Sequence, residues 1–358
     1  MIAGVQGDIV VVGIGMVTPL GPDLAQSAAN IRAGLSAFEE SSIMDKAFDP
    51  FVLATFPDDD LPPLDEELEK EQRLTYRESR LLRLANLALA QIIEQVGELK
   101  DSFPLYMGLP ELQTSIPIDP TAFLKRLGLQ CQLKLDPKHC QAATDGRSGG
   151  LAAIHRAAAA IKQGSERVIV AGGVDSFKDL YILGTLDMEK RINSPQTMDG
   201  FTPGEGAAFL ALTTETHARE KSYSILGRIS GSATDNEPGH MYSKEPYKGE
   251  GLARAVQAAL AQRNGTTGKI ATVFSSMNGE NHFAKEWGVA YIRNTDSIEN
   301  EFRIEHPADC IGDTGAAAGP IMVGLAMRGL TKQYLTGPAL VYASSDRALR
   351  AACVVTKA

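Results

Sequence analysis

Cysteine is scarce. Four residues, Cys131, Cys140, Cys310 and Cys353, stand far apart in 358 positions and show no CxxC or Cys/His spacing. A disulfide framework or a zinc site is therefore not expected, and a reducing, cytoplasmic setting fits. A surplus of basic residues is also missing. The formal net charge is -9, whereas nucleic-acid and anionic-membrane surfaces are bound through Lys and Arg that displace counterions, so neither partner class is expected. No apolar run reaches the roughly 20 residues needed to cross a bilayer. The apolar start Ile9–Val17 follows Asp8, holds glycines and has no basic leader region, so it reads as a strand and not as a signal peptide.

What remains is the balance of an ordinary globular protein, 44% hydrophobic and 22% charged, with 34 Gly and 18 Pro that imply many tight connections. The length suits two domain-sized cores, or one large core built from two similar halves. Residues 8–17 form a continuous apolar, β-branched run, as in a strand buried on both faces. The acidic, Pro-containing stretch within 50–74 predicts a solvated loop leading into a surface helix. From Tyr76 to Leu99, Leu81, Leu82, Ala85, Leu89, Ile92, Ile93 and Val96 recur at helical spacing. Ser148–Gly164 is so rich in Ala and Gly that other backbones can approach it on most sides, which places it centrally. A strand at Arg167–Ala171, a Gly172–Gly173 turn and a strand at Ala207–Leu212 follow.

A weaker version of this layout recurs. Lys269–Ser276 resembles the opening strand, Gly315–Met327 is a second small-residue helix, and Leu340–Ala343 and Cys353–Val355 are late strands. This suggests duplication, with halves 1–216 and 217–358 divided in the polar run near 214–224.

Four segments in a shared order resemble the β-ketoacyl synthase family: VVVGIGMVTPLG (10–21), RSGGLAAIHRAAAAIKQGSERVIVAGGVDS (147–176), DGFTPGEGAAFLAL (199–212) and IGDTGAAAGPI (311–321). The third carries the specific DGF..GEGA framework, here Asp199, Gly200, Phe201, Gly204, Glu205 and Gly206. The resemblance implies a thiolase-like five-layer αβαβα sandwich of two duplicated halves, in an acyltransferase family whose members are usually dimers.

It also implies where the chemistry would sit, and those positions are altered. The family's nucleophilic cysteine corresponds to Arg147, whose guanidinium stays protonated and cannot attack a thioester. The two histidines correspond to Asn278 and Asp313, and a lysine before the second corresponds to Ala308. The glycine-rich oxyanion loop corresponds to ASSDRALRAA, residues 343–352, with Arg347 among the replacements. Loss of one oxyanion donor alone costs about 100- to 1000-fold in rate. Condensation is therefore not expected, nor is decarboxylation, which depends on the histidines. A cation at a helix head opposes the macrodipole, so Arg147 needs an acidic partner. Asp313 is the natural candidate, and a cluster of Arg147, Asp313 and Asn278 filling the old site is the expectation.

Competing readings are weighed beside this one. Gly13 and Gly15 lack the third glycine and the acidic residue of a dinucleotide site, so they read as a strand-end turn. His282 and Glu286, with Glu280 nearby, have metal-like spacing but no second histidine. His155 reads as a packed core histidine. Ser148 lacks a base to make it a nucleophile, and Cys140 and Cys310 read as structural thiols.

No cofactor or metal is expected. Two functions stand: a catalytically inactive binding scaffold, accessory or partner subunit, and an acyl-thioester acyltransferase or hydrolase using Asp313 and a water. Partners implied are a homodimer, a heterodimer with a ketosynthase-like protein, another protein partner, or an acyl carrier protein.

Overall fold

Burial organises the opening strand: all nine residues of β1 (Ile9–Val17) are inaccessible, as a β-branched run with apolar neighbours on both faces requires. The computed structural model describes residues 9–99, 102–112, 117–263 and 268–358. After β1 come α1 (Leu24–Arg32), the hairpin β2 (Phe38–Met44) and β3 (Pro50–Ala54), α2 (Glu66–Glu69), α3 (Tyr76–Gln95), β4 (Leu105–Gly108), α4 (Pro120–Gln130), β5 (Gln141–Ala143), α5 (Gly149–Lys162), β6 (Val168–Ser176), α6 (Leu180–Met188) and β7 (Glu205–Thr214). Past α7 (Glu215–Glu220) lie β8 (Gly227–Asn236), α8 (Glu250–Ala261), β9 (Ile270–Ser275), α9 (Asn281–Asn294), β10 (Ile298–Glu305), α10 (Ala308–Ile311), α11 (Ala318–Thr331), β11 (Ala339–Ser344) and β12 (Leu349–Thr356).

Ten of these strands are hydrogen-bonded in the order β10-β9-β11-β12-β8-β1-β7-β6-β4-β5. Divided at the short antiparallel β1–β8 contact, the two sets of five follow one plan. Outward from the junction, β1 is antiparallel to β7 and β7 to β6, while β6, β4 and β5 run parallel. In the other set β8 is antiparallel to β12 and β12 to β11, while β11, β9 and β10 run parallel. By chain order both sets read first, fifth, fourth, second, third.

The helices complete five layers. The face of α3 lies on β1, β7 and β6, and α8 lies on β8 and β12, so these two are outer layers. Between the sheets, α5 touches β4, β6 and β7 on one side and β8 and β12 on the other, with α11 beside it. The Ala and Gly content of α5 and α11 permits that two-sided approach. At the start of α3, the Thr75 side chain accepts from the Glu78 N–H, which satisfies one of the helix's free donors. Among the described residues no helix is long and apolar enough to cross a membrane.

Two expectations need correction. Gly172–Gly173 is not a turn but the interior of β6; a Cβ there would stand 2.0 Å from the Ala208 carbonyl oxygen or 2.2 Å from that of Ala316. Gly15 likewise lies inside β1, where a Cβ would meet the Ala88 carbonyl oxygen of α3 at 1.8 Å. Glycine marks close backbone approach at these sites. Ahead of the acidic loop, Pro50–Ala54 forms strand β3, with Phe51 and Leu53 buried against α6 and Val52 pointing outward, a two-residue period.

Two glycine substitutions should move stability in opposite directions. Gly173→Ala forces β6 away from the head of α11 and should cost about 1–3 kcal/mol. Gly184→Ala, in α6 with nothing within 4 Å of the added Cβ, should stabilise by about 0.5–1 kcal/mol. Urea titrations of both variants measure the difference.

Candidate functional site

Two structural connections bring the candidate residues together. A 3-10 turn at Gly146–Ser148 places Arg147 directly before α5, and the loop after α10 presents Asp313 just before the matching turn at Gly315–Ala317. Arg147 Nε donates to Asp313 Oδ2 at 2.6 Å, and Asn278 Nδ2 donates to the same oxygen at 2.8 Å. Asp313 Oδ1 accepts the Gly315 N–H at 2.9 Å. Arg147, Asn278 and Asp313 therefore meet, all buried.

The network extends further. Arg147 Nη1 donates to Asp346 Oδ1 at 2.9 Å and to the Ser344 carbonyl at 3.2 Å. Asp346 also accepts from Arg191 Nη1 at 2.7 Å and Nη2 at 3.1 Å. Arg191 in turn grips Glu280 bidentately, Nε to Oε1 at 2.7 Å and Nη2 to Oε2 at 2.8 Å, and Asn278 Nδ2 reaches Glu280 Oε2 at 3.1 Å. Bidentate guanidinium–carboxylate pairs are the strong form of charged hydrogen bond. Burial works against the charge on Arg147, but Asp313, Asp346 and Glu280 outweigh it and raise its pKa. Burial likewise opposes ionisation of Asp346, yet Arg147 and Arg191 hold its carboxyl well below the usual range.

The DGF..GEGA framework shapes this cluster from below. Phe201 lies under both guanidinium groups, 5.9 Å from Arg147 and 5.5 Å from Arg191, within cation–π range. The Phe201 N–H donates to the Arg191 carbonyl at 2.8 Å and the Gly204 N–H to the Asp313 carbonyl at 2.9 Å. A Cβ at Gly200 would lie 2.8 Å from the Arg191 carbonyl oxygen, one at Gly204 2.4 Å from that of Ile311, and one at Gly206 2.9 Å from that of Val17. Asp199 accepts the Asn281 N–H at the head of α9 at 2.8 Å. Fully buried Glu205 receives Arg80 Nε at 2.6 Å, Ser176 Oγ at 2.7 Å and the Phe56 N–H at 2.7 Å.

Other candidates lie apart or are committed. Ser148 donates its hydroxyl to the Ala343 carbonyl at 2.7 Å, while its N–H donates to Ser345 Oγ at 2.9 Å. The Arg347 side chain is exposed and lies over Tyr242, 5.6 Å from the ring centre, so it does not enter the cluster. His155 is half-buried, not fully packed, with Nδ1 3.1 Å from Ser232 Oγ; burial lowers its pKa. His282 packs against Tyr247 with the rings tilted, 4.4 Å between centres, and is pushed down to about 4, chiefly by burial. Glu286 pairs with buried Arg350 and Glu280 with Arg191, so these three side chains do not share a centre. Cys140 and Cys310 are free thiols whose pKa burial raises.

Among the described residues, two small voids adjoin the cluster. A void of about 10 Å³ lies beside Arg147 among Glu111, Gly146, Asp175, Phe177, Gly315 and Asp346, and another of about 20 Å³ lies behind Asp313. A water needs roughly 10–15 Å³, so neither void admits an acyl chain. Outside them, a depression of about 450 Å³ is lined by Lys190, Arg191, Tyr242, Glu280 and His282, among others. Sequence reasoning missed Asp346, Arg191 and Glu111. Asp346 adjoins the noted Arg347, and the need for a second counter-charge to Arg147 was the available signal; nothing in the sequence marked Arg191.

Comparisons with known proteins agree with this architecture. The sequence model of the β-ketoacyl synthase N-terminal domain matches residues 140–218. The 3-oxoacyl-[acyl-carrier-protein] synthase 2 of Mycobacterium tuberculosis is 39% identical over 64 residues, 17% of this chain and 15% of that protein. A putative polyketide β-ketoacyl synthase 2 of Streptomyces coelicolor is 28% identical over 151 residues, 39% of this chain and 35% of its own length. The matches thus span well under half of these curated relatives. Solved structures align far more widely: the ishigamide ketosynthase/chain length factor has TM-score 0.79 at 14% identity, covering 99% of this chain and 100% of that one. The complex of a ketosynthase with its chain length factor from Xenorhabdus doucetiae has TM-score 0.77 at 17% identity, covering 98% of each chain. The fold is the thiolase-like ketosynthase fold. In sequence, the similarity to β-ketoacyl synthases covers part of the chain, with the family model confined to residues 140–218.

Two experiments probe the site's electrostatics. Arg147→Ala strips Asp313 of its guanidinium partner and should cost about 3–5 kcal/mol in urea unfolding, the range for breaking a buried ion pair. Glu111 faces Asp346 and Arg347 of the β11–β12 turn and Arg147 at the head of α5, with Asp175 across the void. Burial and the Asp346 carboxylate push it up to about 7 from 4.5, against the pull of Arg147. A carboxyl raised on folding stabilises fully below its unfolded pKa and loses that contribution as pH rises through the folded value. Stability should therefore fall by up to about 3 kcal/mol between about pH 4.5 and 7.5, and Glu111→Gln should flatten that part of the pH profile.

Proposed function

We propose that this chain is a ketosynthase-like protein that does not condense acyl chains and serves as a scaffold or partner subunit, comparable to the chain length factors found beside ketosynthases. One observation carries the reading. The position at the head of α5, where the resemblance expects a nucleophilic sulfur, holds a buried guanidinium fixed by two carboxylates. A permanently protonated group cannot take up an acyl chain. The resemblance also expects histidines where Asn278 and Asp313 stand, and these side chains are tied to Arg147 and to each other.

The same geometry gives little support to thioester hydrolysis or acyl transfer by Asp313. One of its oxygens accepts from Arg147 and Asn278 and the other from the Gly315 N–H. A general base needs an accessible oxygen within reach of a water, and the adjoining voids hold about one water each.

Intact-mass spectrometry after incubation with a panel of acyl-coenzyme A and acyl-carrier thioesters should show no covalent adduct and no turnover. Turnover abolished by Asp313→Ala would establish the hydrolase reading instead. Affinity purification of the full chain from its native host should recover a thiolase-like partner; a monomer with no partner would count against the subunit role.

A further inference from the structure

Helix α6 is apolar on both of its sides. Its sequence, LYILGTLDM, holds a single charged residue, Asp187. One side, with Ile182, Leu183 and Leu186, is buried together with Phe51 and Leu53 of the β2–β3 hairpin. The other side presents Leu180, Tyr181 and Met188, which are 61%, 72% and 73% exposed. A helix that is hydrophobic all round is normally covered all round, and this one is covered on one side only. We propose that the exposed side of α6, with Phe48 at the tip of the adjoining hairpin, is the face through which two copies of this chain associate about a two-fold axis. This goes beyond the proposed function and does not depend on it.

The hairpin tip is built to hold Phe48 outward. Asp45 Oδ1 accepts the N–H groups of Ala47 at 2.7 Å and Asp49 at 2.9 Å, and the Phe48 N–H donates to the Asp45 carbonyl at 3.1 Å. Within that frame Phe48 stands at φ +66 with its side chain 86% exposed. A bulky side chain in the left-handed region is strained, and such strain gathers where a contact makes use of it. Lys46 Nζ clamps the tip to the end of α6, reaching the Asp187 carbonyl at 2.8 Å and Oδ1 at 3.0 Å.

Spacing, charge and area select a second copy as the occupant. A two-fold contact requires a face complementary to itself. Leu180 and Tyr181 lie one turn before Gly184 and Met188 one turn after it, so an axis at Gly184 sets Met188 of each copy against Leu180 and Tyr181 of the other. Lys178, Asp187 and Glu189, which flank the face, are committed to Asp58, Lys46 and the Tyr242 hydroxyl of their own chain, so they do not hold two copies apart. The four apolar side chains expose on the order of 500 Å², an apolar centre suited to an interface of about 800 Å² per copy.

Sedimentation equilibrium tests this on the full chain, on its Tyr181→Lys and Met188→Glu variants and on their equimolar mixture. The wild type should be a dimer at micromolar concentration, and each variant alone should have a dimer Kd raised by about tenfold or more. In this contact residue 181 of one copy meets residue 188 of the other. The mixture should therefore recover a tighter dimer, because the introduced ammonium and carboxylate face each other across the axis. A monomeric wild type overturns the proposal, whatever other protein it binds. So do variants as tightly dimeric as the wild type, which would put the contact elsewhere, and a mixture no tighter than either variant alone. Should a variant fail to fold, hydroxyl-radical footprinting of the wild type decides: Tyr181 and Met188 should be oxidised more slowly in the dimer than in the diluted monomer, and equal rates overturn the proposal. Acyl-thioester turnover would sink the scaffold reading and leave these outcomes untouched.

Discussion

The structure around the central layer depends on the need of one buried cation for counter-charge. Arg147 belongs to the first set of strands and helices, and its carboxylates, Asp313 and Asp346, belong to the second. A guanidinium removed from water is tolerated only when it is paired and its donors are met. The association of the two sets supplies that pairing. The contact is reciprocal, because Asp175 at the end of β6 accepts the Ala316 N–H at the head of α11 at 3.0 Å while pairing with Arg77. Each set thus contributes an acid to the helix-head region of the other.

Close backbone approach makes that exchange feasible. Small residues let α5 and α11 sit between two sheets, and glycines at 172, 173 and 204 bring carbonyl groups within distances that a side chain would prevent. The charged cluster and the small-residue layer are consequences of the same geometry. Tight packing excludes water, and exclusion of water raises the electrostatic weight of every charged hydrogen bond in the cluster.

Much of the fold was legible because its signals are local. The β-branched run of β1, the helical period of α3 and the small-residue stretches of α5 and α11 each announce an element within one window. The meeting of Arg147 with Asp313 followed from ordered motifs and from the rule that a buried cation needs an acid. What could not be read were contacts fixed by tertiary path alone. Arg191 reaches Asp346 across 155 positions and Glu111 meets the turn at 346–347 across 235, and neither carries a local pattern. The Gly172–Gly173 pair misled because turn and close approach use the same residue for different reasons.

The doubly held guanidinium also constrains the order in which this sequence can change. Exchange of residue 147 for any uncharged side chain deprives a sealed carboxylate, Asp313, of its cation, so that substitution is tolerated only after the acid has gone. Removal of the acid first leaves Arg147 with Asp346 alone as a direct acidic contact. Neither first step is neutral, so the trio is mutationally interlocked, and drift at these positions is expected to proceed jointly or not at all.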